Sequence, residues 1–559
     1  MRVLDSRRLT GGNLFQDQPG AVLDVSVRDE DRDLLVAAWA RNARKLLAEM
    51  EWEDAHVSSR IMDEGVSLVV SAPMDGLYTA TELNEVAFEA ARDWIEGTQR
   101  SLIQRVSRQL RDEYRGEERP RLRRLLAEAK ERGTPVVLDE DYVSLGTGKF
   151  SETWDLYEVP HPEDVRWKSH RAVPTALITG TNGKTTTTRL LASIVKAAGK
   201  TAGVSSTDWL AMGDEILDRS DYAGPGGARA ILRDKRCEVA LLETARGGLL
   251  RRGLAVEKAE VALITNIAAD HLGDFGVATV DDLADVKWCV TRALDEKSRL
   301  VLNAEDPLLM KLMPDSPAPV ALFSMNPRCK VFADHVAAGG TGFTVRRGRI
   351  EKCSGKKVEP IVSVKAIPLT FKGVAKHNIA NALAAAAVAD GLKISHDVIA
   401  VGLKALDNAG NPGRANVYHI NGVTVFLDFA HNPAGLQALM PVIEALPARR
   451  RALITGQAGD RGDDDIREFA LASDSLRFDR IFIKRMDNHA RGRPIGEVAN
   501  IMRDAYLDSG YRKSVMSQPC TEIDAVKAAL RWAKTGDLIV LLSHEKRDQT
   551  QAFLQSRVE

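Results

Sequence analysis

Residues Thr175–Thr188 read TALITGTNGKTTTT, and the fold is decided there. TALIT (Thr175–Thr179) has the short apolar run of a buried strand. Gly180-Thr181-Asn182-Gly183-Lys184-Thr185 follows at once, and a helix is expected from about Thr185. Glycines let backbone N–H groups curl around a phosphate, and the helix N-terminus adds a favourable dipole. Lys184 supplies a mobile cation and the Thr185 hydroxyl can coordinate Mg²⁺. The spacing is shorter than the general G-x-x-x-x-G-K-[ST] loop, because Ile178 stands where the first glycine would be. The plain alternative is an ordinary glycine turn with an incidental lysine. A phosphate loop alone does not separate kinase, ATPase and ligase.

Outward from this loop, TALIT, VALLE, VALIT and RLVLN alternate with helical stretches. That rhythm predicts an α/β unit built on a mostly parallel, doubly wound sheet. Strand ends on the carboxyl side face the binding crevice of such a sheet. VALLE ends at Glu243, a hard oxygen ligand suited to Mg²⁺, and VALIT leads through Asn266 to Asp270 and His271. A histidine alone is as well explained by capping or core packing, but its place just after a strand favours the crevice. Ile350–Pro368 reads as an interrupted β excursion. After a break at Asn408–Arg414 (NAGNPGR), VTVFLDFAH, RALIT, RIFIK and DLIVLLS predict a second, smaller α/β domain.

The first ~160 residues read as a small mixed unit, with strands at Ala21–Val27 and Val66–Ala72 and helices at Asp29–Met50 and Ala80–Glu96. Thr98–Arg132 carries eleven Lys/Arg against six Asp/Glu, with helices broken near Gly116 and Pro120. It is either a solvated helical face or a docking surface for an acidic polymer. Val159–Pro174, with three prolines, reads as a linker. At roughly 100–200 residues per domain, 559 residues suggest about three or four domains. Lys+Arg is 77 and Asp+Glu is 78, so the chain as a whole offers no pull on nucleic acid or a membrane surface. Five cysteines without paired spacing fit a reducing, cytoplasmic setting. The N-terminus has no signal-peptide core, and no apolar run approaches the ~18 residues of a membrane span.

GTNGKTT, LLETARGG, TNIAADHL, DLADVK, LNAEDP, KHNIANALAA, NPGR and DFAHNP occur in the order and rough spacing of the Mur ligases. The chain resembles that family over about Val173–Leu542. It is most similar to the Mur-like module of cyanophycin synthetases, through GVSSTD, ETARGGLLRRGL, NPGRAN, AGDRGDDDIRE and RGRPIGEVA. RRLTGGNLF and YVSLGTGKF resemble the N-terminal domain of those synthetases more weakly. In them an ATP-grasp module lies between the two parts. Here YVSLGTGKF runs almost directly into the Mur-like segment, leaving no room for it.

The resemblance implies a small α+β N-terminal domain (1–165), a P-loop central domain with a parallel sheet (166–410) and a Rossmann-like C-terminal α/β domain (411–559). It implies an ATP- and Mg²⁺-dependent amide ligase that activates a carboxylate as an acyl phosphate for attack by an amino acid amine. Gly183, Lys184, Thr185 and Thr186 would hold the phosphates, and Thr185, Glu243, His271 and Lys287 the metal, Lys287 as a carbamate. Lys184, Glu243, His271 and Lys287 would be the catalytic set. Asn378 matches an adenine contact, Arg414 and Asp428 match nucleotide contacts made when the C-terminal domain closes, and His431 shares their loop. DFAHNP also reads as a helix start, with Asn432 as cap and Pro433 at the first position. By analogy the acceptor is an aspartyl or similar carboxylate, small or peptidic, and the amine a basic amino acid chosen by Gln457–Arg467 and Lys484–Arg493. The acidic run Asp463–Asp465 would meet that cation or simply cap a helix. Self-association and a separate ATP-grasp partner enzyme are further expectations. The alternatives are a catalytically silent nucleotide-binding homologue and a folylpolyglutamate-synthase-like ligase.

Overall fold

The computed structural model describes residues 1–52, 54–98, 103–270 and 272–558. Among these residues the central sheet has eleven strands, in the order Glu215–Asp218, Leu210–Met212, Ala202–Ser205, Val239–Glu243, Thr175–Thr179, Val261–Ile264, Arg299–Asn303, Val320–Ser324, Thr341–Arg346, Arg349–Ser354 and Lys357–Ser363. From Ala202–Ser205 to Thr341–Arg346 every pairing is parallel, and both edges are antiparallel. The runs TALIT, VALLE and VALI are apolar throughout because helices cover both faces. Lys184–Ala197, Lys376–Gly391 and His396–Ala405 close one face, and Pro225–Arg233, Arg246–Arg251 and Val280–Trp288 close the other. The chain moves outward from Thr175–Thr179 on one side and then the other. The loops after Thr179, Glu243 and Ile264 therefore meet at a topological switch point.

Alanine makes the first of these faces unusually close. In Lys376–Gly391, residues Ala382 to Ala389 are all buried, and their small side chains let the helix lie near the sheet. Helix His396–Ala405 comes nearer still to the helix that starts at the phosphate loop. A Cβ on Gly402 would sit 2.3 Å from the Ile194 Cα.

The C-terminal sheet has six strands among the described residues, ordered Asn416–Ile420, Val423–Asp428, Leu538–Leu542, Arg451–Thr455, Arg480–Ile483 and Met516–Ser517. The first pair is antiparallel and the rest parallel. Its core holds one buried ionic knot. Lys484 Nζ donates to Glu522 and to Leu542 O (2.6 Å), and Glu522 also accepts from Ser543 Oγ (2.5 Å) and His544 N (2.9 Å). His544 lies against Ala430 O, at 2.8 Å, and carries the knot to the base of the DFAHNP loop.

At the N-terminus, four antiparallel strands (Arg2–Leu9, Gly20–Ser26, Gly65–Ser71, Val57–Met62) carry helices Asp29–Met50 and Leu77–Ile95 on one face. A three-stranded sheet from Val136 to Asp155 follows, with helix Pro120–Glu131 packed on it. The basic stretch forms helices Ile103–Glu117 and Pro120–Glu131, whose Leu110, Leu122 and Leu125 are buried; its residues 99–102 lie outside the described set. The proline-rich segment differs from a loose linker. Val159, Val165 and Trp167 pack against the small sheet, and Trp167 Nε1 donates to Pro162 O (2.9 Å). Pro162 starts a tight helical turn, so a composition typical of tethers here makes a packed strap. Among the described residues no helix is long and apolar enough to cross a membrane.

Gly402→Ala is expected to destabilise by about 1–3 kcal/mol, because the obstructing atoms are backbone and cannot rotate away. A drop in the thermal midpoint read by circular dichroism checks this. His544 gives a second expectation. Burial, and then the neighbouring Lys484, lower its pKa to about 3 from 6.5. The unfolded chain thus binds this proton first on acidification, so stability is held above pH 6.5 and lost as the pH falls from there towards about 3. His544→Gln is expected to flatten the fall in the midpoint between about pH 6.5 and 4.5, above the range in which Glu522 titrates.

Candidate functional site

The loop is shaped by two glycines that no other residue replaces. Gly180 has φ +134°, and a Cβ there would meet Thr265 Oγ1 at 1.9 Å. Gly183 has φ +89°, and a Cβ there would meet Asn381 Oδ1 at 2.2 Å. The neighbouring strand end holds the loop open. Asn182 N donates to Asn266 Oδ1 (2.9 Å), while Thr265 Oγ1 (2.7 Å) and Asn266 Nδ2 (3.0 Å) donate to Asn182 O. Thr181 Oγ1 donates to Ala268 O (3.1 Å). Helix Lys184–Ala197 begins one residue earlier than its sequence suggests, aiming its first N–H groups into the loop. Lys184 Nζ folds back onto Gly180 O and Thr181 O, both at 3.0 Å.

Glu243 lies beside the loop and is 1% exposed. Thr185 Oγ1 faces its two oxygens at 3.2 and 3.1 Å. Thr207 fixes it from the other side, through Oγ1 (2.7 Å) and N (3.3 Å). Thr207 belongs to the GVSSTD stretch, but nothing in its residue type marked it as the holder of a carboxylate. Lys287 enters from helix Val280–Trp288, whose start is fixed by a capping box between Thr279 and Asp282. Its Nζ donates to Gly180 O at 3.0 Å. Burial, and then the positive charge of Lys184, push the Lys287 ammonium well below its ordinary pKa. Both effects shift this lysine towards the neutral, nucleophilic amine. His271 falls outside the described residues. Among the described residues no three His, Cys, Asp or Glu side chains cluster to hold a metal. Of the expected metal set, Thr185 and Glu243 touch, and Lys287 reaches the same loop.

Thr186, Asn378 and Asn381 line the same cleft, which has a volume of about 1100 Å³. Asn378 is buried, with Nδ2 on Leu369 O (2.8 Å) and Oδ1 accepting from Asn381 Nδ2 (3.1 Å). Its amide is thus oriented before any ligand arrives.

The opposite wall comes from the C-terminal domain. Arg414, Asp428 and His431 all line the cleft. Asp428 accepts from Ala415 N and Ala430 N, both at 2.8 Å, and braces the turn that carries Arg414. Its burial raises the carboxyl pKa, against the lowering pull of Arg414 and His377. Asn432 caps helix Pro433–Ala445 through Gly435 N (2.8 Å). It also exchanges two amide hydrogen bonds with Asn182 of the loop, at 3.0 and 3.2 Å. The capping reading and the site reading therefore hold together. Asp270, beside His271, meets Arg461 at 2.8 Å and His431 at 3.6 Å. Asp463–Asp465 form the first turn of helix Asp463–Leu471, and Asp463 pairs with Arg493 at 2.7 Å. Asp460 and Arg491, rather than that acidic run, reach the cleft from the two loops proposed to choose the amine.

Comparison with known proteins agrees with this fold. Residues 178–389 match the Mur ligase middle domain, and residues 413–544 match the Mur ligase glutamate ligase domain. The cyanophycin synthetase of Synechocystis sp. is 39% identical over 334 residues, 59% of this chain and 38% of that protein. That of Geminocystis herdmanii is 36% identical over 371 residues, 66% of this chain and 42% of that protein. The chain thus spans about two-fifths of the length of these curated relatives. In fold it is similar to the bifunctional folylpolyglutamate synthase/dihydrofolate synthase of Yersinia pestis, with a TM-score of 0.50, 19% identity, and coverage of 68% of this chain and 89% of that one. Through its middle and C-terminal domains, the chain belongs to the Mur ligase family.

Proposed function

We propose that this chain is an ATP-dependent carboxylate–amine ligase. The observation that carries the reading is one cleft in which the glycine loop, buried Glu243 and desolvated Lys287 face Arg414, Asp428 and His431 of a second domain. Loop amides from Gly180, Thr181, Asn182 and Gly183, with Lys184, Thr185 and Thr186, would bind the ATP phosphates. Asn378 would orient the adenine. Thr185, Glu243 and a carbamylated Lys287 would offer hard oxygens to Mg²⁺ and His271 a ring nitrogen, and Lys287 is already stripped of solvent. Bound there, Mg²⁺ would neutralise charge on the phosphoryl group.

The γ-phosphoryl group would pass to the acceptor carboxylate, giving an acyl phosphate and ADP. An amine then attacks the acyl carbon and loses a proton, and phosphate departs. The chain's work is positioning and exclusion of water. Lys184, now resting on loop carbonyls, would swing to the transferring phosphoryl group. The default substrates are an aspartyl-type carboxylate, small or peptidic, and a basic amino acid, supported by likeness to relatives named cyanophycin synthetase. The same reading includes self-association, a separate ATP-grasp partner enzyme, and domains at 1–165, 166–410 and 411–559.

Phosphate release across a panel of amino acids, aspartyl peptides and cyanophycin primers, with product masses, tests this. Amide products whose formation depends on both substrates are expected; ATP hydrolysis indifferent to the amine would sink the proposal. Lys287→Ala is expected to lower amide formation by about 10²–10³-fold with nucleotide affinity largely kept, and added formate or acetate to restore part of it. Full turnover by that variant without added carboxylate would refute a carbamate at Lys287.

A further inference from the structure

Asp208, near the cleft, meets three guanidiniums. Its side chain is 2% exposed. Arg189, from the helix that starts at the phosphate loop, donates to Oδ2. Arg547 Nη1 donates to Oδ1 at 2.6 Å, and Arg414 Nη2 stands 3.8 Å from the same oxygen. Asp208 and Arg189 belong to the central unit, while Arg414 and Arg547 come from the C-terminal one. Three guanidiniums thus share one carboxylate beside the cleft.

The C-terminal side of this joint is built to hold Arg547. Arg414 and Arg547 both lie on the Phe429 ring, at 4.5 and 5.6 Å. Gly413, at φ +79°, leaves room that a Cβ would take, 2.6 Å from Arg547 Cδ. Gln551, one turn further along helix Arg547–Gln555, donates to Asn416 Oδ1 (3.3 Å), and that oxygen also accepts from Gly413 N (2.5 Å). The last helix therefore clamps the turn that presents Arg414. From the other side, Arg189 Nη1 donates to Asn411 Oδ1 (2.8 Å) and Pro412 O (3.0 Å) of the same turn.

We propose that Arg547 is a positioning residue: by bridging Asp208 and the Phe429 ring it sets Arg414 against the nucleotide and ties nucleotide binding to closure of the C-terminal domain. The inference rests on the reading of this cleft as an ATP site. It does not require that any particular carboxylate or amine be the substrate.

The test uses the full chain with Arg547→Ala and Asp208→Asn. Fluorescent mant-ATP with Mg²⁺ reads affinity, X-ray scattering reads compaction on adding a non-hydrolysable ATP analogue, and circular dichroism reads folding. Both variants are expected to weaken nucleotide binding by roughly tenfold and to lose most of the compaction. Ethylguanidinium in the buffer is expected to restore both properties to Arg547→Ala and not to Asp208→Asn, a response that a purely structural defect would not give. If Arg547→Ala does not fold, Asp208→Asn decides. Wild-type affinity and compaction in a folded variant would overturn the proposal. Failure of the wild-type chain to turn over any substrate pair, with nucleotide-driven compaction intact, would instead count against the ligase reading alone.

Discussion

One carbonyl organises the cleft. Gly180 O receives both Lys184 and Lys287 at 3.0 Å, at the one backbone position where a side chain would collide with Thr265. Two cations on one neutral acceptor is an unbalanced arrangement. It is tolerable because burial, and the charge of Lys184, press Lys287 towards its neutral form. The same carbonyl ends the strand that pairs with both Val239–Glu243 and Val261–Ile264. Position of the loop, access of Lys287 and burial of Glu243 all follow from the sheet order at this point. The rest of the central unit, including its alanine-rich helix, serves to hold that strand between its neighbours.

Much of this was legible in the residues. The strand, loop and helix at Thr175–Ala197 follow from apolar runs and two glycines, and the helix Asp29–Met50 has the bounds its periodicity suggests. What sequence could not give was pairing at a distance. Thr207 reads as a loop threonine until Glu243 is placed beside it. Arg547 sits in an ordinary amphipathic helix, and no local pattern links it to Asp208, 339 positions away. Asn182 and Asn432 each have a local explanation, as loop and cap residues, that conceals their mutual hydrogen bonds. The strap at 159–174 errs the other way. Prolines suggest a tether by composition, but here Pro162 starts a turn and Trp167 packs.

Electrostatics divides the molecule between permanent and conditional pairing. The Lys484–Glu522 knot lies within one domain, with Ser543 and His544 N completing the Glu522 side. The pairs Asn182–Asn432, Asp270–Arg461 and Asp208–Arg547 cross between domains, and each would break if those domains parted. Glu243, Lys184 and Lys287 keep their partners within the central unit, so these cross-domain pairs are the conditional part of the cleft.

The N-terminal unit meets the central one quite differently. Thr10 N donates to Arg252 O and Leu254 N to Gly12 O, both at 2.7 Å, and a Cβ on Gly11 would stand 2.2 Å from Leu254 O. Backbone is riveted to backbone there, and long side chains add to it: Arg7 Nε donates to Leu250 O (2.9 Å) and Arg252 Nη1 to Arg8 O (3.2 Å). The cleft thus has one cast wall and one hung door. Arg251 and Arg252 of the LLRRGL segment line the cleft, so the N-terminal unit braces that wall independently of the contacts made by the C-terminal domain.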